Sequence, residues 1–189
     1  MSSLGFIRIL SKYLLVLAML NFGGMLVKKG YAQVSPELLK AVYIEKFAKF
    51  IDWPADLHAK TEDNKFYIYV LGDTTFTNVL KKVYRRQKIK DKEVVIRNVK
   101  YFDEINSCHV LFISPKEQNR IAFILKKIAD LPILTISEGK DLARKGVIIN
   151  FISRADKIHF AINETSAYKA NLSVNFRLLS AALVIEPLN

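Results

Sequence analysis

The sequence predicts a single α/β domain, a mixed and mostly parallel sheet flanked by helices with an antiparallel hairpin at one edge. Three observations carry that expectation. Of 189 residues, 51% are hydrophobic, and only 7 are Gly and 5 Pro. Such a composition builds a core and excludes a disordered chain, a collagen-like repeat and a disulfide-rich miniprotein. Short apolar runs alternate with stretches whose apolar residues return every three or four positions, as buried strands alternate with helices. No internal repeat, low-complexity tract or Pro/Gly/Ser linker divides the chain. A single Cys, Cys108, allows no internal disulfide, so the core alone must supply stability.

Residues 1–32 stand apart from this domain. Arg8 and Lys12 precede a 15-residue apolar run, Tyr13 to Val27, and Lys28-Lys29-Gly30-Tyr31-Ala32 follows it. A basic start, an apolar middle and small residues before a cut describe a secretory signal peptide, with cleavage after Ala32 and a domain over residues 33–189. A retained membrane anchor is the competing reading. It fits less well, because the run is interrupted by Asn21, Gly23 and Gly24 and falls short of the ~20 residues a span needs.

Ser35-Pro36-Glu37 opens a helix, with Ser as N-cap, Pro at the first helical position and an acid in the first turn. Leu39, Tyr43, Phe47, Phe50 and Ile51 form its apolar face, Lys40, Lys46 and Lys49 lie off it, and Glu45 can pair with Lys49. Asp52-Trp53-Pro54 ends the helix. A polar loop over 55–65 leads to Phe66–Leu71, a buried strand closed by Gly72-Asp73. Phe76, Val79, Leu80, Val83 and Tyr84 mark the next helix. Strands are expected over Glu93–Val99 and Cys108–Ile113. Ser114-Pro115-Lys116-Glu117 then reads as a capping box, opening a helix buried through Ile121, Ile124, Leu125 and Ile128. Pro132–Ile136 is a strand, and Asp141–Lys145 a short helix stopped by Gly146. Val147–Ile152 and Ile158–Ile162 form the hairpin around residues 153–157, the second arm wet on one face. A short turn from Glu164 and a helix from Val174 to Leu183 complete the chain.

Catalytic and metal-binding patterns are absent from the sequence: no Gly-x-Ser-x-Gly elbow, His-Glu-x-x-His or Walker motif occurs. Cys108-His109 is the only soft-ligand pair, and neighbours on a strand point to opposite faces, so a buried thiol beside a packed imidazole fits better than a metal site. No cofactor is expected. Asp73, Ser137 and Glu138 sit at the carboxyl ends of predicted strands, where open α/β sheets hold ligands. Turn chemistry explains them equally well. Asn163-Glu164-Thr165 and Asn171-Leu172-Ser173 match the glycosylation sequon but also read as helix caps.

The net charge of +11 points first to nucleic acid. Removing residues 1–32 with their four cations leaves 157 residues carrying +7. Of that, +6 lies in residues 81–92: Lys81, Lys82, Arg85, Arg86, Lys88, Lys90 and Lys92 against Asp91. A solvated helix end is one reading of this cluster. The other is a docking patch for anionic lipid headgroups or an acidic partner face, with Lys81, Lys82, Arg85, Arg86 and Lys88 as its residues. Val83 and Tyr84 are expected to face the core, so no aromatic platform is left for stacking bases, and nucleic acid is not an expected partner.

The order of segments resembles the YfiR family, also called HmsC-like, of small periplasmic regulatory proteins. The resemblance rests on Phe47-Ala48-Lys49-Phe50-Ile51-Asp52-Trp53-Pro54, Tyr69-Val70-Leu71-Gly72-Asp73 with Phe76, and Cys108-His109-Val110-Leu111-Phe112-Ile113-Ser114. It continues through Ile133-Leu134-Thr135-Ile136-Ser137, Gly146-Val147-Ile148-Ile149-Asn150-Phe151, Ile162-Asn163 and Arg177-Leu178-Leu179, over roughly residues 36–185. It implies a non-enzymatic periplasmic repressor. Such proteins bind the periplasmic sensor part of an inner-membrane diguanylate cyclase, limiting cyclic di-GMP and biofilm formation, and an outer-membrane lipoprotein relieves the repression. A sensor kinase is the alternative receptor, and a homodimer is an open possibility. Better-known members carry several cysteines and respond to redox through disulfides. With Cys108 alone an internal bridge is excluded here. Against this regulator stand a periplasmic small-ligand-binding module and a hydrolase using Asp73 or Glu138, the last without a nucleophile–base pair to support it.

Overall fold

The computed structural model describes residues 34–55, 64–101, 104–105, 108–154 and 157–185. The signal segment expected at 1–32 and residues 56–63 of the expected loop lie outside them. In chain order the elements are α1 (Pro36–Lys49), β1 (Ile51–Asp52), β2 (Phe66–Leu71), α2 (Thr74–Tyr84), β3 (Lys88–Ile89), β4 (Lys92–Val99) and β5 (Val110–Ile113). There follow a 3-10 turn (Pro115–Arg120), α3 (Ile121–Lys127), β6 (Leu134–Glu138), β7 (Ile149–Arg154), β8 (Lys157–Ile162), α4 (Glu164–Lys169), β9 (Ser173–Val174), α5 (Phe176–Ser180) and β10 (Leu183–Val184).

Eight strands form one sheet in the order β10-β8-β7-β6-β5-β2-β4-β3. The run β4-β2-β5-β6-β7 is parallel, and β8 and β3 join it antiparallel to β7 and β4. Counted along the chain, those five parallel strands lie in the order 2-1-3-4-5, that of a flavodoxin-type doubly wound sheet. Alternation along β2 and β5 feeds two cores. Ile68, Val70, Val110 and Phe112 pack beneath α1 and α2, through Ala41, Ile44, Phe47, Phe76 and Leu80. Tyr69, Leu71, Leu111 and Ile113 pack on the other face against Ile121 and Ile124 of α3 and Ile128 at its C-cap. Period-two alternation on strands buried from both sides requires this division.

Local chemistry sets the element ends where the sequence indicates, with several departures. Ser35 caps α1 by accepting from the Leu38 amide at 3.2 Å, and Glu45 pairs with Lys49 at 2.7 Å. The buried face of α1 is nevertheless rotated. It holds Lys40, Ala41, Ile44, Phe47 and Ala48, with Leu39, Tyr43 and Phe50 half-buried. The helix packs on both the sheet and α2, and the Lys40 stem covers apolar surface while its head reaches an acid. α1 also ends before Phe50, because Ile51–Asp52 pair with Ser173–Val174 in a small second sheet.

The capping box is not formed. Ser114 N donates to Leu71 O at 3.0 Å, extending the β2–β5 ladder, so it is not free to receive Glu117. Ser114 Oγ instead accepts from the Lys116 amide at 3.2 Å and starts the 3-10 turn. Residues 140–146 are turns rather than the short helix expected at 141–145, with Asp141 at φ 57°. The helix expected over 174–183 is broken into β9, α5 and β10, since Asn175 donates to Phe50 O at 2.8 Å and Leu183–Val184 pair with Ala161–Ile162. β10 thus lies outside the β7–β8 hairpin, which is one strand in from the edge. The sheet's other edge is a hairpin that periodicity did not reveal, β3–β4, turned at Lys90 and Asp91 with φ 49° and 62°.

Candidate functional site

At the carboxyl ends of the parallel strands, each polar residue singled out in the sequence has an internal partner. Gly72 follows β2 at φ +80°, and a Cβ there would lie 3.0 Å from Glu117 Oε1, so the turn requires glycine. Asp73 next to it is the N-cap of α2. Its Oδ1 accepts from the Phe76 amide at 2.9 Å, and its carbonyl accepts from Thr77 Oγ1 at 2.6 Å. Ser137 Oγ, fully buried, donates to Ile113 O on the neighbouring strand at 2.7 Å.

Glu138, at the end of β6, is the hub of this region. Its Oε2 accepts from Lys40 Nζ at 2.6 Å, and its Oε1 from Ser153 Oγ at 3.1 Å. Lys40 is 6% exposed, with its ammonium 5.7 Å from the Phe76 ring centroid and 3.9 Å from Glu37. The pair joins residues 98 apart in sequence and ties α1 to the sheet. Asn150 on β7 donates to Gly139 O at 2.9 Å, while its buried Oδ1 has no partner among the described residues. Glu138 is therefore joined to Lys40 and Ser153, Ser137 next to it is engaged by the neighbouring strand, and Asp73 stands two strands away, engaged in capping. The sequence reading missed Lys40. A lysine flanked by Leu39 and Ala41 on an otherwise apolar helix face was the available signal, and its acid lies too far along the chain for any local pattern to show.

Cys108 and His109 fall on opposite sides, as expected of neighbours at a strand entrance. Cys108 joins the α3-side core, where burial pushes its thiol pKa well above the ordinary value. His109 stacks on Phe66 at 4.5 Å, its Nδ1 accepts from the Tyr67 amide at 3.0 Å, and its carbonyl accepts from Trp53 Nε1 at 3.2 Å. Among the described residues no three His, Cys, Asp or Glu side chains gather as metal ligands. Asn163, in the first sequon, is a buried cap. It accepts from the Ser166 amide at 2.8 Å and donates to Ala143 O at 2.7 Å.

The basic segment becomes a corner built from the last turn of α2 and the β3–β4 hairpin. Lys81, Lys82, Arg85, Arg86 and Lys88 are exposed, and none forms an ion pair with a described residue. Tyr84 between them is buried and donates to Ala41 O at 2.7 Å, while Val83 is half-buried. Burial, and secondarily the nearby Glu45 charge, hold the Tyr84 hydroxyl pKa high. Lys90 is drawn inward, 2.8 Å from Asp52 Oδ1 and 5.4 Å from the Trp53 ring centroid, and so pins the hairpin to the segment after α1. At the amino ends of β6 and β7 lies a cleft of about 260 Å³, walled by Leu125, Ile128, Ile133 and Thr135 with Ser166 and Lys169 at its side. No helix among the described residues is long and apolar enough to cross a membrane.

No curated protein matches the chain. The model of the YfiR/HmsC-like family matches it over residues 37–183, from the first turn of α1 into β10. The match spans both cores, both sheets and the basic corner, and the chain belongs to the YfiR/HmsC-like family.

Proposed function

We propose that this protein is a non-enzymatic periplasmic regulator. It binds the periplasmic sensor part of an inner-membrane diguanylate cyclase and represses its output, lowering cyclic di-GMP and biofilm formation. The family match over 37–183 carries this reading. It is supported by the sequence of residues 1–32, which has the pattern of a secretory signal. It is supported too by Asp73, Ser137 and Glu138, whose polar groups serve caps, strands and an ion pair rather than an open reaction site.

A repressor of this kind needs no chemistry, only unequal affinity for two receptor states. A hundredfold bias toward the inactive receptor requires about 2.7 kcal/mol of differential binding. The basic corner, Lys81, Lys82, Arg85, Arg86 and Lys88, is the surface that brings the protein to its membrane-held receptor. A sensor kinase is the alternative receptor, with an outer-membrane lipoprotein as the sequestering partner. Deletion of the gene should raise cyclic di-GMP and surface attachment, and capture from membranes should recover the cyclase. Unchanged cyclic di-GMP and attachment after deletion would sink the reading. The cleft beside Gly146 favours a second reading, a small-ligand module. That one predicts a ligand-dependent rise in melting temperature, and a screen without any rise would remove it.

A further inference from the structure

We infer that the basic corner docks on anionic phospholipid headgroups of the membrane holding the receptor, rather than on an acidic face of the receptor itself. This rests on the function proposed above and names what the corner meets. Lys81 and Lys82 lie in the last turn of α2, and Arg85 is its C-cap in right-handed helical conformation, four residues on from Lys81 and so beside it on the surface, with Arg86 following directly. All four are exposed, with no ion pair to a described residue to offset their mutual repulsion. Only two acids share these elements: Asp91 at the hairpin turn and Glu93 opposite Lys88 in the ladder. Glu45, across the helix pair, is already engaged by Lys49. The corner is held in shape by Tyr84 on Ala41, by the buried Ile89 and by Lys90 on Asp52. It is an ordered cationic surface rather than a charged tail.

The absence of exposed large apolar side chains from this corner separates the two kinds of partner. Protein interfaces draw their energy from a desolvated apolar or aromatic centre, with charges at the rim. Here Tyr84 and Ile89 are buried and Val83 half-buried, so the corner offers charge and little else. A headgroup plane asks for nothing more. No large apolar residue of α2 or of the β3–β4 hairpin is exposed; Leu38 and Val42 are exposed on α1, and Phe176, Leu183 and Val184 on α5 and β10, β10 being the sheet edge opposite β3. One edge is thus cationic and the other apolar. The cationic edge suits a lipid surface and leaves the apolar edge for protein contact.

The test uses the exported form of the protein and vesicles of phosphatidylglycerol in phosphatidylcholine, with pure phosphatidylcholine as control. The protein should sediment with the anionic vesicles only, and molar salt should release it as the screening length falls to about 3 Å. Each cation near an anionic surface is worth roughly a fivefold factor in partitioning. The fourfold variant K81E/K82E/R85E/R86E should therefore bind at least about a hundredfold more weakly. Its neutral counterpart K81Q/K82Q/R85Q/R86Q should also weaken, which guards against a variant whose helix end is upset by reversed charge. Equal sedimentation of wild type with both vesicle types, or of folded variants with anionic vesicles, would overturn the proposal. Receptor capture in detergent, without a bilayer, separates it from the functional reading. Retained capture by the neutral variant supports lipid docking. Lost capture by that variant, with an unchanged melting curve, assigns the corner to an acidic protein face and overturns it. Failure of the wild type to capture any receptor sinks the regulator reading while leaving vesicle binding to be judged on its own result.

Discussion

Lys40 and Glu138 should respond to substitution unequally, and the inequality follows from their burial. Their side chains are 8% and 25% exposed, with 2.6 Å between Nζ and Oε2. At an effective dielectric near 20 that separation gives a gross attraction of about 6 kcal/mol. Desolvating the two groups takes back several kcal/mol of it. Changing Glu138→Gln leaves the ammonium buried under α1, its nearest remaining acid Glu37 at 3.9 Å. Full burial would cost about 3–5 kcal/mol on losing a partner, and the partly exposed Glu138 brings the expected loss to about 2–3 kcal/mol. Lys40→Met removes the buried charge, keeps much of the stem volume, and leaves a carboxylate that still reaches water and still accepts from Ser153 Oγ. Its cost should be about 1 kcal/mol or less.

The double variant should be more stable than Glu138→Gln alone, a coupling of about 1–2 kcal/mol in a double-mutant cycle. Urea midpoints at constant m-value are the measurement, and calorimetry should show Glu138→Gln melting about 4–10 °C lower. If Lys40→Met proves the more damaging single change, or the two losses simply add, the tie between α1 and β6 is not what holds this corner of the fold.

Other outcomes follow from single sites. Cys108 and Tyr84 both have raised pKa values in the folded state, so the stability they contribute is fully present below the unfolded-state values. As pH rises above about 8.5 the unfolded thiol ionises first, and stability should fall by up to about 1.4 kcal/mol per pH unit for each group titrating. Cys108→Ala should flatten that slope between about pH 8.5 and 10 in denaturant titrations, and an unchanged slope would refute the assignment. The same burial predicts that a thiol reagent labels Cys108 only at the rate of unfolding. Gly72→Ala places a Cβ against Glu117 at φ +80° and should cost about 1–2 kcal/mol, with Glu117→Ala in the same background relieving only the contact and not the backbone strain. Lys90→Ala removes an exposed ion pair and a contact over Trp53, so about 1 kcal/mol is expected together with a change in Trp53 emission. Intact emission would mean that Lys90 does not sit on the ring in solution.

What the sequence could show of this fold is what repeats locally. The runs at Phe66–Leu71 and, His109 apart, Cys108–Ile113 are apolar because the parallel sheet is covered on both faces, and the strands Phe66–Leu71 and Val110–Ile113 were legible from that. The stripe of Phe76, Leu80 and Tyr84 located α2, because a helix packed on the sheet buries one face only. Elements set by pairing with distant chain were illegible. β1, β9 and β10 have two residues each, too short for any period, and each exists because a partner far along the chain supplies its hydrogen bonds. Residues 174–183 have acceptable helical spacing, but Asn175 N is used by Phe50 O and Leu183–Val184 by β8, so tertiary pairing overrides propensity. The capping box failed in the same way, because the amide that Glu117 would have satisfied already belongs to the sheet.

The site obeys the same distinction, with a consequence for where binding is to be sought. A residue type at a strand end indicates only that a polar group stands where ligands often bind, and whether that group is free depends on the rest of the chain. Asp73, Ser137 and Glu138 meet a helix N-terminus, a strand carbonyl and a lysine, so each is engaged within the fold. The basic run fared differently for a physical reason. Seven cations and one acid in twelve residues cannot neutralise one another locally, and distant acid reaches only some of them, as Asp52 reaches Lys90. Local surplus of one charge therefore survives folding, whereas local polarity does not. Among the described residues left with unspent interaction capacity are Lys81, Lys82, Arg85, Arg86 and Lys88 at one sheet edge and Phe176, Leu183 and Val184 at the other. If the protein acts as proposed, by holding a receptor at a membrane, it needs one surface for each, and these two edges offer different chemistries for the two contacts.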